Sequence, residues 1–250
     1  AIRVGARLLM SDVSFQITPG DKVGLVGRNG AGKTTLTKVL SGTLDPSEGG
    51  VEVTGELGYL PQDTHSGEDS EPVLSRILSA RGLDTILKKL RRAEEEMGDM
   101  SLTAARREKA MNRYPRIEAE LDAAGGYAAE AEAKRMAANL GLPNRLLEQG
   151  LGTLSGGQRR RVELARILFS QAGTMILDEP TNHLDHDSIV WLREYLMNYR
   201  GGVIIISHDV ELVEQVVNKV FYLDANRSII DIYNMGWKLY QRQREDDEKR

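Results

Sequence analysis

The feature that most constrains this chain is the octapeptide Gly27-Arg28-Asn29-Gly30-Ala31-Gly32-Lys33-Thr34. It follows the short apolar run 22–26 and opens a helix-forming run, 34–40. A G-x-x-x-x-G-K-T loop between strand and helix is built to cradle phosphate oxygens. Its glycines let backbone N–H groups converge without Cβ clashes. The helix that follows aims its positive end at the same anion. Lys33 has the reach for terminal phosphates, and the Thr34 hydroxyl is a ligand for Mg²⁺. Gly27, Asn29, Gly30, Ala31, Gly32, Lys33, Thr34 and Thr35 are therefore the candidate phosphate-binding residues.

A strand that feeds such a loop is buried on both faces and belongs to a parallel sheet. Runs 174–177 and 203–206 read as two more buried strands, with a helix over 189–199 between them. Strand, loop, helix and strand in that order predict an α/β fold. Upstream, Val13, Phe15 and Ile17 alternate with polar residues before the turn Pro19-Gly20-Asp21, a pattern expected of a hairpin in an antiparallel sheet.

Three further constellations carry chemistry. Asp178 and Glu179 end the strand 174–177, where ligands bind in open α/β sheets. Asp178 suits Mg²⁺ coordination and Glu179 is placed as general base for a water. His208 directly follows the strand 203–206 and can hydrogen-bond a phosphate and hold Glu179. In Leu154-Ser155-Gly156-Gly157-Gln158, Ser155 and Gln158 form a capping-box pattern. The double glycine bares N–H groups at a helix N-terminus, a second anion site for which one phosphate loop has no use by itself. That surplus is resolved if 155–158 meet a phosphate bound to another domain. Gln62, in Tyr59-Leu60-Pro61-Gln62, is a fainter signal.

The stretch 81–126 has a different character. Ile86, Leu90, Ala93 and Met97 form a narrow apolar stripe on a charged helix. A break at Gly98-Asp99 and a second charged segment, 102–121, interrupted near Pro115, predict an antiparallel helical hairpin. From 81 to 120 there are ten Lys and Arg against eight Asp and Glu, so charge by itself favours no polyanion there. The whole chain carries a formal −4, which removes any global pull toward nucleic acid or anionic membrane. With no cysteine, disulfide and thiolate chemistry are excluded and a reducing, cytoplasmic setting is natural. No apolar run approaches the roughly 20 residues of a membrane helix. The opening Ala1, almost directly at strand-like sequence, is read as a trimmed start.

Taken in order, these motifs resemble the nucleotide-binding domain of the ATP-binding cassette superfamily, whose signature is LSGGQ. The resemblance implies a P-loop core with an antiparallel β subdomain and a helical signature subdomain. It implies a head-to-tail sandwich in which MgATP lies between one domain's P-loop and the other's signature, here Ser155, Gly156, Gly157 and Gln158. It also implies Gln62 as a Mg²⁺ ligand beside Thr34 and Asp178, Asp185 in the D-loop, and His208 as switch histidine beside catalytic Glu179. Asp178-Glu179-Pro180-Thr181-Asn182-His183-Leu184-Asp185 is similar to the hallmark of the ABC-F branch. The gap of 92 positions from Gln62 to Leu154 is long for a transporter domain and sits where that branch carries its arm. Gly125-Gly126-Tyr127 and Leu140-Gly141-Leu142 also look like that branch.

In that frame, 1–80 with 127–225 form the nucleotide-binding domain, 81–126 the inserted arm, and 226–250 the start of an inter-cassette linker. The implied function is a two-cassette ATPase without a membrane partner, acting on the ribosome as translation factor or antibiotic-resistance ribosome-protection protein and meeting rRNA or tRNA through the arm and linker. The alternatives are the ATP-binding subunit of a membrane transporter, or a fragment that binds ATP without turning it over. One departure stands out: Val4, beside Gly5, occupies the place where the family sets an aromatic residue against adenine.

Overall fold

The computed structural model describes residues 1–63 and 67–249; Arg250, the end of the charged tail, lies outside them. Along the chain run β1 (Ile2–Val4), β2 (Arg7–Met10), β3 (Lys22–Gly27), α1 (Lys33–Leu40), β4 (Leu57–Leu60), α2 (Val73–Leu78), α3 (Leu83–Gly98), α4 (Ala104–Ala123), α5 (Gly126–Asn139) and α6 (Gly156–Phe169). They continue with β5 (Thr174–Asp178), α7 (His186–Asn198), β6 (Gly202–Ile206), α8 (Val210–Val216), β7 (Lys219–Asp224), β8 (Ile229–Tyr233) and α9 (Trp237–Glu248). Two compact units result: Ala1–His65 with Gln171–Arg250, and Ser66–Ser170.

The first unit is a mixed α/β body around a six-stranded sheet of order β4-β5-β6-β3-β7-β8. Its first five strands are parallel, and β8 adds an antiparallel edge. β3, β5 and β6 are almost wholly buried, as continuous apolar runs in a parallel sheet require. Successive side chains alternate between the faces, and two cores follow. On one face Val23, Leu25, Ile204, Phe221 and Leu223 pack with Leu36 and Val39 of α1 and Leu9 and Met10 of β2. On the other, Val220 packs with Val213 of α8 and Tyr240 of α9, beside Val26 and Tyr222. The β3 and β7 pairing is parallel, Val23 opposite Lys219 through Gly27 opposite Leu223. The parallel pairings of β3 with β6 and of β6 with β5 leave the C-terminal ends of β3, β5 and β6 on one rim.

Three sequence expectations need correction. Residues 13–17 form no strand: Val13, Phe15 and Ile17 are half-buried against the core, and Phe15 meets Phe221 edge-on at 5.0 Å. The alternation was real, but it served packing rather than pairing. The turn after it is present, with the Asp21 N–H donating to Thr18 O at 3.0 Å. The antiparallel hairpin lies earlier, where β1 and β2 pair around the two-residue turn Gly5-Ala6, Gly5 having φ +57°. Second, α4 runs unbroken through Pro115. Third, the expected linker boundary at 226 falls inside a β-hairpin, because Ile229–Tyr233 pairs with β7; the tail helix begins only at Trp237.

The second unit is helical. α3 and α4 form the hairpin expected over 81–126, burying Ile86, Leu90 and Ala93 with Ala110, Ile117 and Leu121. Arg113–Glu96 (2.9 Å) and Lys89–Glu120 (3.4 Å) join its two helices at the surface. At its base the Arg81 guanidinium lies 3.8 Å over the Phe169 ring. It also donates to Phe169 O at 2.6 Å and pairs with Glu132 at 2.9 Å. The buried Glu163 of α6 receives Arg76 at 2.7 Å and Arg166 at 3.0 Å, so its charge is not left alone in the interior.

Candidate functional site

The site is set by how β3 ends. Gly27 closes the strand where any Cβ would lie 3.1 Å from Leu223 O and 3.3 Å from the Ala31 Cβ. The loop then turns through Gly30 (φ +78°) to Gly32 (φ +104°), the left-handed residue that caps α1. L side chains avoid that conformation, and a Cβ on Gly32 would also stand 3.0 Å from Leu9 Cδ1. The N-terminal hairpin therefore rests directly on the loop. Ala31 is buried in the core and ties the turn by donating to Arg28 O at 3.0 Å.

Lys33 folds back over this loop, its Nζ donating to Gly27 O at 2.5 Å and Arg28 O at 3.3 Å. Burial lowers the lysine pKa below 10.5, against the opposing pull of the Asp178 and Glu179 carboxylates. Those carboxylates come from the end of β5, with Asp178 2% and Glu179 8% exposed. Glu179 adopts φ +50°. Its N–H donates to Ile206 O at 2.7 Å, which locks the end of β5 to the end of β6. Its side chain is held twice by His208, two residues past β6. The His208 N–H donates to Oε2 at 3.2 Å, and His208 Nδ1 contacts Oε1. The rest of the His208 side chain is open, 81% exposed.

These groups line one cleft of about 570 Å³. Asn29, Gly30, Gly32, Lys33, Thr34, Thr35, Gln62, Asp178, Glu179 and His208 all face it. Of the expected phosphate residues, Gly27 and Ala31 shape the loop from behind. The cleft also has a wall that sequence reasoning missed: Arg7 and Leu9, beside Val4. The available signal was the glycine turn between two short strand-like runs, Ile2–Val4 and Arg7–Met10, which marks a hairpin. Asp185 caps α7, accepting from the Ser188 N–H at 2.8 Å.

As for a metal, the donors offered by the cleft are a hydroxyl, an amide and a carboxylate: Thr34, Gln62 and Asp178. Such hard oxygen groups suit Mg²⁺, which keeps few protein ligands and takes the rest from phosphates and water. Among the described residues there is no group of three or more His, Cys, Asp and Glu placed to hold a metal ion.

Ser155–Gln158 belong to the second unit. Ser155 caps α6, accepting from the Gln158 N–H at 3.1 Å, while the Gln158 side chain accepts from the Ser155 N–H at 2.9 Å. A Cβ on Gly156 would meet nothing within 4 Å, so this helix end is open. Among the described residues no helix is long and apolar enough to cross a membrane.

Comparison with known proteins agrees with this geometry. A family model described as ABC transporter matches residues 10–182. The tylosin resistance ATP-binding protein TlrC of Streptomyces fradiae is 36% identical over 225 residues, covering 89% of this chain and 41% of that protein. The probable ATP-binding protein YheS of Escherichia coli K12 is 32% identical over 225 residues, covering 89% of this chain and 33% of that protein. The chain thus spans well under half the length of these curated relatives. Among solved structures, an ATP-binding subunit of an ABC transporter superposes with TM-score 0.69 at 19% identity, covering 97% of this chain and 89% of that one. An RNase-L inhibitor superposes with TM-score 0.60 at 22% identity, covering 91% and 37%.

Proposed function

Because this chain belongs to the ATP-binding cassette family, we propose that its cleft binds MgATP and hydrolyses it in a sandwich with a second cassette, in the manner of the ABC-F branch. The observation that carries this reading is the convergence of Lys33, Thr34, Gln62, Asp178, Glu179 and His208 on one cleft.

The loop amides and Lys33 hold the β- and γ-phosphates. Thr34, Gln62 and Asp178 would hold Mg²⁺, which when bound would supply positive charge beside the phosphate oxygens. A water attacks the γ-phosphorus in line as the bond to the bridging oxygen breaks, giving ADP and phosphate. Glu179 takes the water's proton. His208 fixes that carboxylate through its ring and its backbone N–H and turns its exposed edge toward the γ-phosphate. In α6 the capping box uses the Ser155 and Gln158 amides. Gly156 and Gly157 remain as first-turn donors for the phosphate bound by a partner cassette.

The work of the whole protein is placed on the ribosome, as translation factor or antibiotic-resistance protein. The sequence 178–185, the α3–α4 hairpin and a relative named for tylosin resistance support this over membrane transport. In that reading the hairpin is the arm, and α9 starts the connection to the second cassette.

Two measurements test it. Lys33→Ala lowers MgATP affinity of this chain at least tenfold by calorimetry; unchanged affinity removes the cleft as the nucleotide site. Glu179→Gln in the full-length protein co-sediments with ribosomes in ATP, and deletion of 81–126 abolishes this. Stable co-purification with a membrane protein instead, independent of 81–126, would return the function to transport.

A further inference from the structure

A triphosphate seated on the P-loop extends its sugar and base toward the remaining wall of the cleft, the β1–β2 hairpin. That wall presents Val4, Arg7 and Leu9. Leu9 is buried against Gly32, so the hairpin is held beside the phosphates. Val4 is 53% exposed and Arg7 is also exposed. Among the described residues, no Phe, Tyr or Trp lines the cleft, and Arg7 is engaged in no ion pair. The planar group at this end is therefore the Arg7 guanidinium.

A guanidinium plane stacks on the π-face of any nucleobase, and such stacking tolerates every base because each has a π-face. Reading one base against another needs hydrogen-bond donors and acceptors aimed at its edge. Val4 and Leu9 have no side-chain polar atom, and Arg7 offers only donors. Resting on the assignment of this cleft to nucleotide, we propose that Arg7 is the base-contacting residue. It stacks on the base in place of an aromatic ring, and the cleft binds nucleoside triphosphates with little preference for adenine over guanine.

Calorimetric titration of the chain with MgATP, MgGTP and magnesium tripolyphosphate tests this, because tripolyphosphate carries the phosphates without a base. In wild type, ATP and GTP bind within about threefold of each other, as stacking without edge readout requires. Arg7→Ala weakens both about tenfold and leaves tripolyphosphate unchanged, the loss expected of one stacking contact. Arg7→Tyr restores most of the loss, since a ring can replace the guanidinium plane. A preference for ATP above about twentyfold overturns the proposal, since that much discrimination requires edge readout. Arg7→Ala weakening tripolyphosphate as much as ATP also overturns it, making Arg7 a phosphate contact. Equal binding by Arg7→Ala and wild type overturns it as well. Failure of the underlying site assignment looks different: ATP and tripolyphosphate both bind wild type and Lys33→Ala alike, or neither ligand binds wild type.

Discussion

Glu179 carries a backbone conformation that its side-chain type does not favour, and that strain can be measured. Its φ of +50° is left-handed, which costs a residue with a Cβ about 1–2 kcal/mol. The conformation persists because the Glu179 N–H is tied to Ile206 O at 2.7 Å and both carboxylate oxygens are tied to His208. Glu179→Ala and Glu179→Gly delete the same carboxylate contacts and differ only at the backbone. Glycine adopts the left-handed region freely but loses about 0.4–1 kcal/mol through its more flexible unfolded chain. The balance leaves the glycine variant more stable than the alanine variant by roughly 0.5–1 kcal/mol, the reverse of the usual order. With a urea dependence near 2–3 kcal/mol per molar, the glycine midpoint lies about 0.3 M higher, read by circular dichroism with equal slopes. Alanine at or above glycine would mean that Glu179 stores no strain, and that its conformation is no device for aiming the carboxylate.

Three other expectations follow from the same structure. Glu179→Gln lowers ATP turnover of the two-cassette protein by about a hundredfold or more, a general-base-sized loss, while MgATP affinity persists; turnover within threefold of wild type removes Glu179 as the base. Because burial draws the Lys33 pKa below 10.5, MgATP affinity declines as pH rises toward that value and the ammonium is lost, whereas Lys33→Arg shows a flat profile over the same range. Asp21 is buried, yet the Thr18 N–H, the Thr18 hydroxyl and Lys219 hold its carboxyl below 3.8 against that burial. Its stabilisation is complete above the unfolded value and is lost as pH falls through the lower folded one. Asp21→Asn should cost about 1–3 kcal/mol in urea unfolding at pH 7.

Much of the site was legible because its residues sit at the ends of buried strands, where short motifs and their context coincide. The P-loop, Asp178-Glu179 and His208 each follow an apolar run, and the parallel order of β5, β6 and β3 brings those ends together. Arg7 and Leu9 escaped because the turn at Gly5 marks a hairpin but not its place beside the cleft. They reach the cleft through the contact of Leu9 with Gly32, a tertiary event. Residues 13–17 misled for the complementary reason, since period-two alternation reports which side chains turn inward and says nothing of whether the backbone has a partner. The strand Ile229–Tyr233 was overlooked beside the charged tail, although its isoleucines favour a strand. α4 tolerates Pro115 at an exposed position, where water can satisfy the carbonyl that the missing N–H leaves behind.

The strand order also sets a timetable for synthesis. β3, which ends in the phosphate loop, has β6 and β7 as its neighbours, so its partners begin only at Gly202 and Lys219. At about 5–20 residues per second, the ribosome finishes β6 roughly 10–35 seconds after β3, with the whole of Ser66–Ser170 emerging in between. Throughout that interval the nascent phosphate loop hangs from a strand with no ladder on either side, and the apolar residues of β3 need shelter. ATP added to stalled nascent chains should therefore protect the first 60 residues from protease only once the stall point passes β6.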